Sequence, residues 1–203
     1  MKGTSKTKRT TTFKEKQQVV YPLQGVGQIT SIEMRPFKDD EVLYYVIYLE
    51  VTDMTVMVPV DKAEELGIRA IVNRKEAERA LALISESYEP VAADWKMRYQ
   101  MNLDLLKQGS VTDIATVVRS LYHRSKIKEL PILERKLFDS AIKLLVDEVS
   151  FSLKTSKDEV EQLVFSKLEV DTPKKASRVA TPPDDDDDLD TPRLDEDDDE
   201  DEK

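Results

Sequence analysis

The sequence predicts an α+β protein in which a small, strongly bent β-sheet or partial barrel is followed by an all-α domain of five helices. Three observations carry this prediction. β-branched and aromatic residues are dense over residues 17–72, in short runs with turn-like separators. Apolar residues recur at helical spacing over residues 73–170. Both ends are rich in charge and poor in apolar side chains, which predicts disordered tails, a basic one over residues 1–16 and an acidic one over residues 171–203.

Five short runs predict the strands, and turn-like segments such as PFKDDE separate them. Their hairpin-length connections favour one bent sheet, because fewer than sixty residues hold all five. A sheet of this kind leaves an edge that can pair with a strand of a partner. The runs are QQVVYPL, GVGQITSIEM, EVLYYVIYLEV, MTVMVPVD and GIRAIV.

Helix-start signals recur through the second half and predict where each helix begins. Asp94 is a predicted N-cap, and Gly109 is a predicted stop. The five predicted helices are residues 74–85, a second from Asp94 to about Lys107, a third opened by Ser110 with Asp113, a fourth with Pro131 at its first helical position, and a fifth opened by Ser156 with Glu159.

Composition excludes several classes of function. The chain of 203 residues has no cysteine, which rules out disulfides, thiolate zinc sites and cysteine nucleophiles. No apolar run approaches the roughly 20 residues that span a bilayer, and the first residues lack a secretory signal. We therefore expect a cytoplasmic protein without membrane contact.

The net charge of −10 is concentrated at one end of the chain. Residues 171–203 carry 15 acidic and 5 basic residues, so the rest of the chain has 26 of each. A neutral body with local basic segments remains compatible with nucleic-acid binding.

Other candidate sites are weak. Gly25-Val26-Gly27 lacks the third glycine of a dinucleotide loop, so a turn or bulge is expected there. His123 is the only histidine and has no evident metal partners, and the polyaspartate lacks EF-hand spacing. With no pairing of nucleophile and base, we expect a protein that is not an enzyme and needs no cofactor or metal.

Trp95, the only tryptophan, supports two interpretations. Helical periodicity predicts a second helix packed on two sides, with Trp95 as a core anchor. As the first helical residue after Asp94, however, its side chain would project beyond the helix bundle. The helix N-terminus and the flanking cations would favour phosphate nearby, and an exposed indole can stack on bases. The two predicted stripes are Trp95, Tyr99, Leu103 and Leu106, and Met97, Met101 and Leu105.

Four segments resemble the CarD/CdnL family of bacterial transcription regulators: VVYPLQGVGQITSIEMR, TVMVPVDKAEELGIR, DWKMRYQMNLDLLKQGSVTDIATVVRSL and LPILERKLFDSAIKLLVDEV. Their order, their spacing and the W-x-x-R-Y pattern make the likeness specific. The resemblance implies a Tudor-like domain, here residues 17–72, that binds the β subunit of RNA polymerase. It also implies a helical domain, here residues 73–170, that contacts promoter DNA at the upstream edge of the melted −10 region. It favours an exposed Trp95 that wedges into the minor groove.

Individual residue roles follow from the same resemblance. Arg35 falls on a polymerase-contacting arginine, and Met57 stands where a second basic contact is often found. Trp95 and Arg98 match the DNA-facing pair, while Met97 and Gln100 replace basic residues of some members. Additional predicted DNA contacts, which are equally compatible with solvated helix charges, are Lys96, Arg135 and Lys136.

We accordingly expect a monomeric, nucleoid-associated protein that stabilises the promoter open complex. The alternative is a Tudor-like peptide-binding adaptor, or an acidic-tailed chaperone of basic proteins.

Overall fold

The computed structural model describes residues 11–38, 40–86, 88 and 94–170. Within this part of the chain, the predicted order of strands followed by helices is confirmed. The predicted acidic tail, residues 171–203, lies outside the described residues, as do residues 1–10 of the predicted basic tail.

One antiparallel sheet contains the strands in the order β4-β3-β2-β1-β5, so β4 and β5 form its edges. The long β2–β3 hairpin extends past the prediction, because the positive φ of Lys38 allows a tight turn in which Phe37 pairs with Asp40. The segment PFKDDE is therefore mostly strand. The strands are β1 (Gln18–Tyr21), β2 (Gly25–Phe37), β3 (Asp40–Leu49), β4 (Met54–Pro59) and β5 (Arg69–Ala70), with one turn of 3-10 helix at Val60–Lys62.

The glycines that open β2 serve backbone geometry. Gly25 has a φ of 92°, which lets the chain turn into the strand. Gly27 lies where an added Cβ would come within 2.7 Å of the Ile47 side chain. The expected turn lies directly before this segment, at residues 22–24, and Gly25–Gly27 themselves belong to β2.

Caps define the helix starts. Asn73 forms a reciprocal capping box with Glu76, and the Asp94 carboxylate accepts hydrogen bonds from the backbone N–H groups of Lys96 and Met97. Pro131 is the N-cap of its helix instead of the predicted first helical residue, because its ψ of 153° is extended. None of the described helices is both long enough and apolar enough to cross a lipid bilayer. The helices are α1 (Arg74–Ile84), α2 (Trp95–Gln108), α3 (Val111–Ile127), α4 (Ile132–Leu153) and α5 (Lys157–Val170).

Two hydrophobic clusters hold these elements together. The first lies on the inner face of the sheet and includes Phe13, whose backbone N–H donates to the Tyr45 hydroxyl at 3.1 Å. Ordered structure thus includes residues that the sequence analysis assigned to the basic tail, because a buried aromatic ring anchors them. The second cluster lies among the helices, with α3 and α4 at its centre.

Candidate functional site

The outer face of the sheet brings together the two residues predicted to bind a protein partner. In the strand register, Arg35 pairs with Val42, and Met57 pairs with Val46. Directly paired residues share a face of a sheet, and Val42 and Val46 are four residues apart on β3, which places them on the same face. Because Tyr45 is buried on the opposite, inner face, Arg35 and Met57 both lie on the outer one.

An acidic neighbour partly neutralises Arg35. The Arg35 guanidinium lies 2.8 Å from the Glu33 carboxylate. A hydrogen bond from Ser31, and then the contact with Arg35, hold the pKa of Glu33 below its ordinary value. Glu33 is therefore ionised at neutral pH. A partner that binds Arg35 through an acidic group must compete with an exposed and weak pair.

The edge strand β4 borders this outer face. On one side β4 pairs with β3, and on the other side it has no neighbouring strand in the described sheet. An unpaired edge offers backbone N–H and C=O groups to a strand of another protein. We call the outer-face residues Arg35 and Met57 with the β4 edge the sheet surface.

Trp95 lies at the start of α2, as predicted. It follows the cap residue Asp94 directly, its side chain is partly exposed, and it belongs to neither hydrophobic cluster of the described residues. The Lys96 ammonium lies 5.8 Å from the centre of the indole ring. An indole, a cation and a helix N-terminus thus meet at one corner of the molecule, an arrangement suited to a polyanion with stacked bases.

Arg98 occupies a different environment from the one that its predicted role requires. Its Nε and Nη2 donate to the two carboxylate oxygens of Glu134 at 2.8 and 3.0 Å. Arg98 is only 7% exposed and Glu134 is fully buried. The pair joins the first turn of α2 to the first turn of α4. In this conformation the guanidinium is held inside the protein, and direct contact of Arg98 with DNA stays a prediction.

The first turn of α4 lies beside that of α2 because of this pair, and it adds residues that the sequence analysis missed. Ile132 is 75% exposed and Leu133 is also exposed. The predicted contacts Arg135 and Lys136 are exposed as well, with Arg135 bonded to the exposed Glu129. Apolar spacing alone could not identify Ile132 and Leu133, because leucine and isoleucine at a helix start normally predict burial. We call Trp95 and Lys96 with the first turn of α4 the helix-end surface.

The predicted two-sided packing of α2 is wrong for one of its two stripes: Tyr99, Leu103 and Leu106 pack on the helical cluster as predicted, whereas Met97 and Met101 do not. Its buried face is formed by Arg98, Asn102 and Leu106, while Met97 is 58% exposed and Met101 is also exposed. The polar character of the buried face explains the error, since its central arginine is compensated by Glu134 from another helix. Gln100 donates to the Asp104 carboxylate at 2.8 Å on the surface of the same helix.

Comparison with known proteins identifies the family. The family model described as "CarD-like/TRCF RID domain" matches residues 13–72, and the one described as "CarD, C-terminal domain" matches residues 79–165. The Bacillus subtilis (strain 168) protein named "Putative transcription factor YdeB" is 33% identical over 131 residues, which are 64% of this chain and 86% of that relative. The chain belongs to the CarD family. Its members are transcription regulators, and the Tudor-like class expected for the sheet is confirmed.

The two candidate surfaces fall into the two segments matched by the CarD models. Arg35 and Met57 lie in the first segment, and Trp95 lies in the second.

Among the described residues, no cluster of three or more histidine, cysteine, aspartate or glutamate side chains is placed to hold a metal ion. His123 stacks on the Tyr88 ring at a centroid distance of 5.3 Å, which is a packing role.

Proposed function

We propose that this CarD-family protein binds the β subunit of RNA polymerase through the sheet surface and stabilises the promoter open complex through the helix-end surface. In this mechanism Trp95 wedges into the DNA at the upstream edge of the melted −10 region, and no reaction is catalysed. The observation that carries the proposal is the position of Trp95, outside both hydrophobic clusters, at a capped helix start beside Lys96.

The helix-end surface has the chemistry that a DNA fork presents. Stacking on an aromatic ring contributes roughly 1–3 kcal/mol per base, and apolar side chains can wedge between base steps. Ile132 and Leu133 extend the apolar part of the surface, while Lys96, Arg135 and Lys136 supply positive charge for phosphates. Arg98 acts differently in this account. It holds the first turns of α2 and α4 together and so positions the contacting residues.

Differential binding is sufficient to account for open-complex stabilisation. A protein that binds the melted complex more tightly than the closed one shifts the opening equilibrium by the ratio of the two affinities. A tenfold shift requires only about 1.4 kcal/mol. Attachment to the polymerase raises the effective concentration of the helix-end surface at the fork.

We expect Arg35→Glu to weaken capture of the polymerase β subunit. The substitution places a carboxylate beside Glu33 on the sheet surface, so it removes the predicted contact and adds repulsion. Arg74→Glu is the matched control, because Arg74 is an exposed arginine on α1 that pairs with Glu78. The measurement is pull-down of the β subunit, with DNA affinity as a second readout. Equal capture by both variants and the wild type would move the polymerase contact away from Arg35.

The acidic segment favours a second candidate function, a chaperone of basic proteins, because residues 171–203 carry 15 acidic side chains. Pull-down from purified components distinguishes the two functions. A polymerase regulator retains core polymerase through residues 17–72 when residues 171–203 are deleted. A chaperone retains basic proteins and loses them on that deletion. Retention of basic proteins alone would reject the proposed function.

Deleting residues 171–203 should raise the affinity for DNA at low salt. We infer that this polyanionic segment competes with DNA for basic residues of the same chain, and such competition is itself screened by salt. DNA affinity should be measured for the full and shortened chains between about 50 and 300 mM salt, and the gain should shrink along this series. A full-length variant in which Asp184–Asp188 become asparagine is the control for chain length. Equal DNA affinities of the full and shortened chains at the lowest salt concentration would exclude competition within the chain.

A further inference from the structure

One arginine joins three elements at the junction between the sheet and the helices. Arg69 lies on β5, and its guanidinium binds both carboxylate oxygens of Glu148 on α4, with the Nη2–Oε2 distance at 2.8 Å. Its Nε also donates to the backbone carbonyl of Gly109 at 2.9 Å. Gly109 is the C-cap of α2. The edge of the sheet, the end of α2 and the middle of α4 therefore meet at a single side chain.

Both carboxylate oxygens of Glu148 accept hydrogen bonds at this junction. Glu148 is 1% exposed, and its Oε1 also accepts a hydrogen bond from the backbone N–H of Val72 at 3.2 Å. Val72 belongs to the short connection between β5 and α1. A guanidinium that binds a carboxylate with two parallel hydrogen bonds fixes direction as well as distance. The pair thus restrains the orientation of the sheet relative to α4.

Contacts around the pair restrain the end of α2 against the same corner. An added Cβ on Gly109 would lie 3.2 Å from Pro22 Cγ, in the turn between β1 and β2. At the other end of α2, Arg98 binds Glu134. One end of the helix is therefore held on α4 by Glu134, and the other end is held by Arg69 of the sheet, which itself binds Glu148 of α4. At about 1.5 Å per residue, the 14-residue helix carries Trp95 about 20 Å away from the junction.

We propose that Arg69 and Glu148 form a positioning clamp that sets where Trp95 lies relative to the sheet surface. This inference rests on the proposed function, in which one protein engages polymerase and DNA at the same time. Two linked contacts increase the overall affinity only when the geometry allows both to form at once. An error in their relative orientation removes this gain in affinity. A buried ion pair is a weak source of net stability, because apolar residues of similar volume often replace it without loss. Apolar replacement of Arg69 and Glu148 should instead remove the restraint on the orientation of the sheet relative to α4.

The decisive variant is Arg69→Met/Glu148→Met, which removes both charges and keeps apolar bulk in their place. We expect its melting temperature to fall only modestly, because apolar bulk replaces the ion pair while the Val72 N–H and the Gly109 carbonyl lose a hydrogen-bond partner. The distance distribution between spin labels on Thr55→Cys and Met101→Cys should broaden, and labelling is specific because the chain has no cysteine of its own. The affinities of the unlabelled Arg69→Met/Glu148→Met variant for isolated β subunit and for free DNA should be unchanged. The increase in open-complex lifetime should fall about tenfold or more.

The matched control is Asp104→Met/Lys107→Met, which removes an exposed ion pair from α2 itself. It should leave both the label distances and the open-complex lifetime as in the wild type. If the Met/Met variant fails to fold, Arg69→Lys is used instead, because an ammonium cannot reproduce the parallel hydrogen bonds of the guanidinium.

Two results would overturn the inference, and a third would reject the proposed function on which it rests. A narrow, unshifted distance distribution in the clamp variant would show that other contacts orient the helices. A broadened distribution with full lifetime extension would show that orientation is not needed at the fork. Absence of any lifetime extension by the wild-type protein would reject the proposed function, and the label distances would still decide whether Arg69 and Glu148 set the orientation.

Discussion

Replacing Arg98 with methionine should lower the free energy of unfolding by about 3–5 kcal/mol. The substitution removes the partner of Glu134, a fully buried carboxylate, and leaves its charge uncompensated inside the protein. Denaturant unfolding of the wild type and the variant measures the difference. The matched control is Lys107→Met, because Lys107 pairs with Asp104 at the surface of the same helix. A surface pair of this kind contributes at most about 1 kcal/mol.

The double variant Arg98→Met/Glu134→Met separates the structural role of Arg98 from a direct DNA contact. Apolar replacement of both partners should recover most of the stability lost in the single variant. If Arg98 acts only by positioning, fork-DNA affinity should follow the geometry, which is read from the spin-label distance between Met101→Cys on α2 and Lys143→Cys on α4. Affinity should recover where this distance stays that of the wild type, and it should stay low where the distance broadens. Recovered stability and an unchanged label distance, with DNA affinity still lost, would mean that the Arg98 guanidinium itself contacts DNA, as its family position predicts.

Replacing Trp95 with alanine should shorten the lifetime of the promoter open complex and leave the fold largely intact. The partly exposed indole belongs to neither hydrophobic cluster, so its removal should cost well below the roughly 3–5 kcal/mol expected for a buried tryptophan. Loss of base stacking should weaken binding to melted fork DNA more than binding to closed duplex. Thermal melting, measured beside both affinities, distinguishes a wedge from a core residue.

Met101→Ala is the control for this experiment, because Met101 is an exposed apolar residue further along the same helix. It should preserve the preference for fork DNA. A large fall in melting temperature for Trp95→Ala, with an unchanged ratio of fork to duplex affinity, would make Trp95 a core anchor and contradict its proposed role.

Local signals explain why the sequence predicts so much of the fold. Asp94 directly precedes the apolar residues that recur at helical spacing in α2. In the structure its carboxylate caps the first turn of this helix. Gly109 ends the same helix with a φ of 73°, a conformation that glycine adopts without steric cost. The order of strands and helices depends on such short-range patterns. The position of Trp95 as the first residue of α2 follows from the same cap.

Long-range pairs explain what the sequence could not predict. Arg98 and Glu134 are 36 residues apart, and Arg69 and Glu148 are 79 apart, so no local pattern links either pair. Without its partner in view, an arginine in a cationic helix start predicts a DNA contact. The exposure of Ile132 has a similar origin, because it depends on the packing of α2 against α4 and not on the spacing of apolar residues within α4.

The lifetime of the open complex at a ribosomal promoter, measured with and without the protein after addition of a DNA competitor, tests the central claim most directly. Preferential binding to the melted state predicts a longer lifetime that saturates with protein concentration and disappears with Arg35→Glu or Trp95→Ala. An unchanged lifetime, with the protein demonstrably bound to polymerase, would contradict the account.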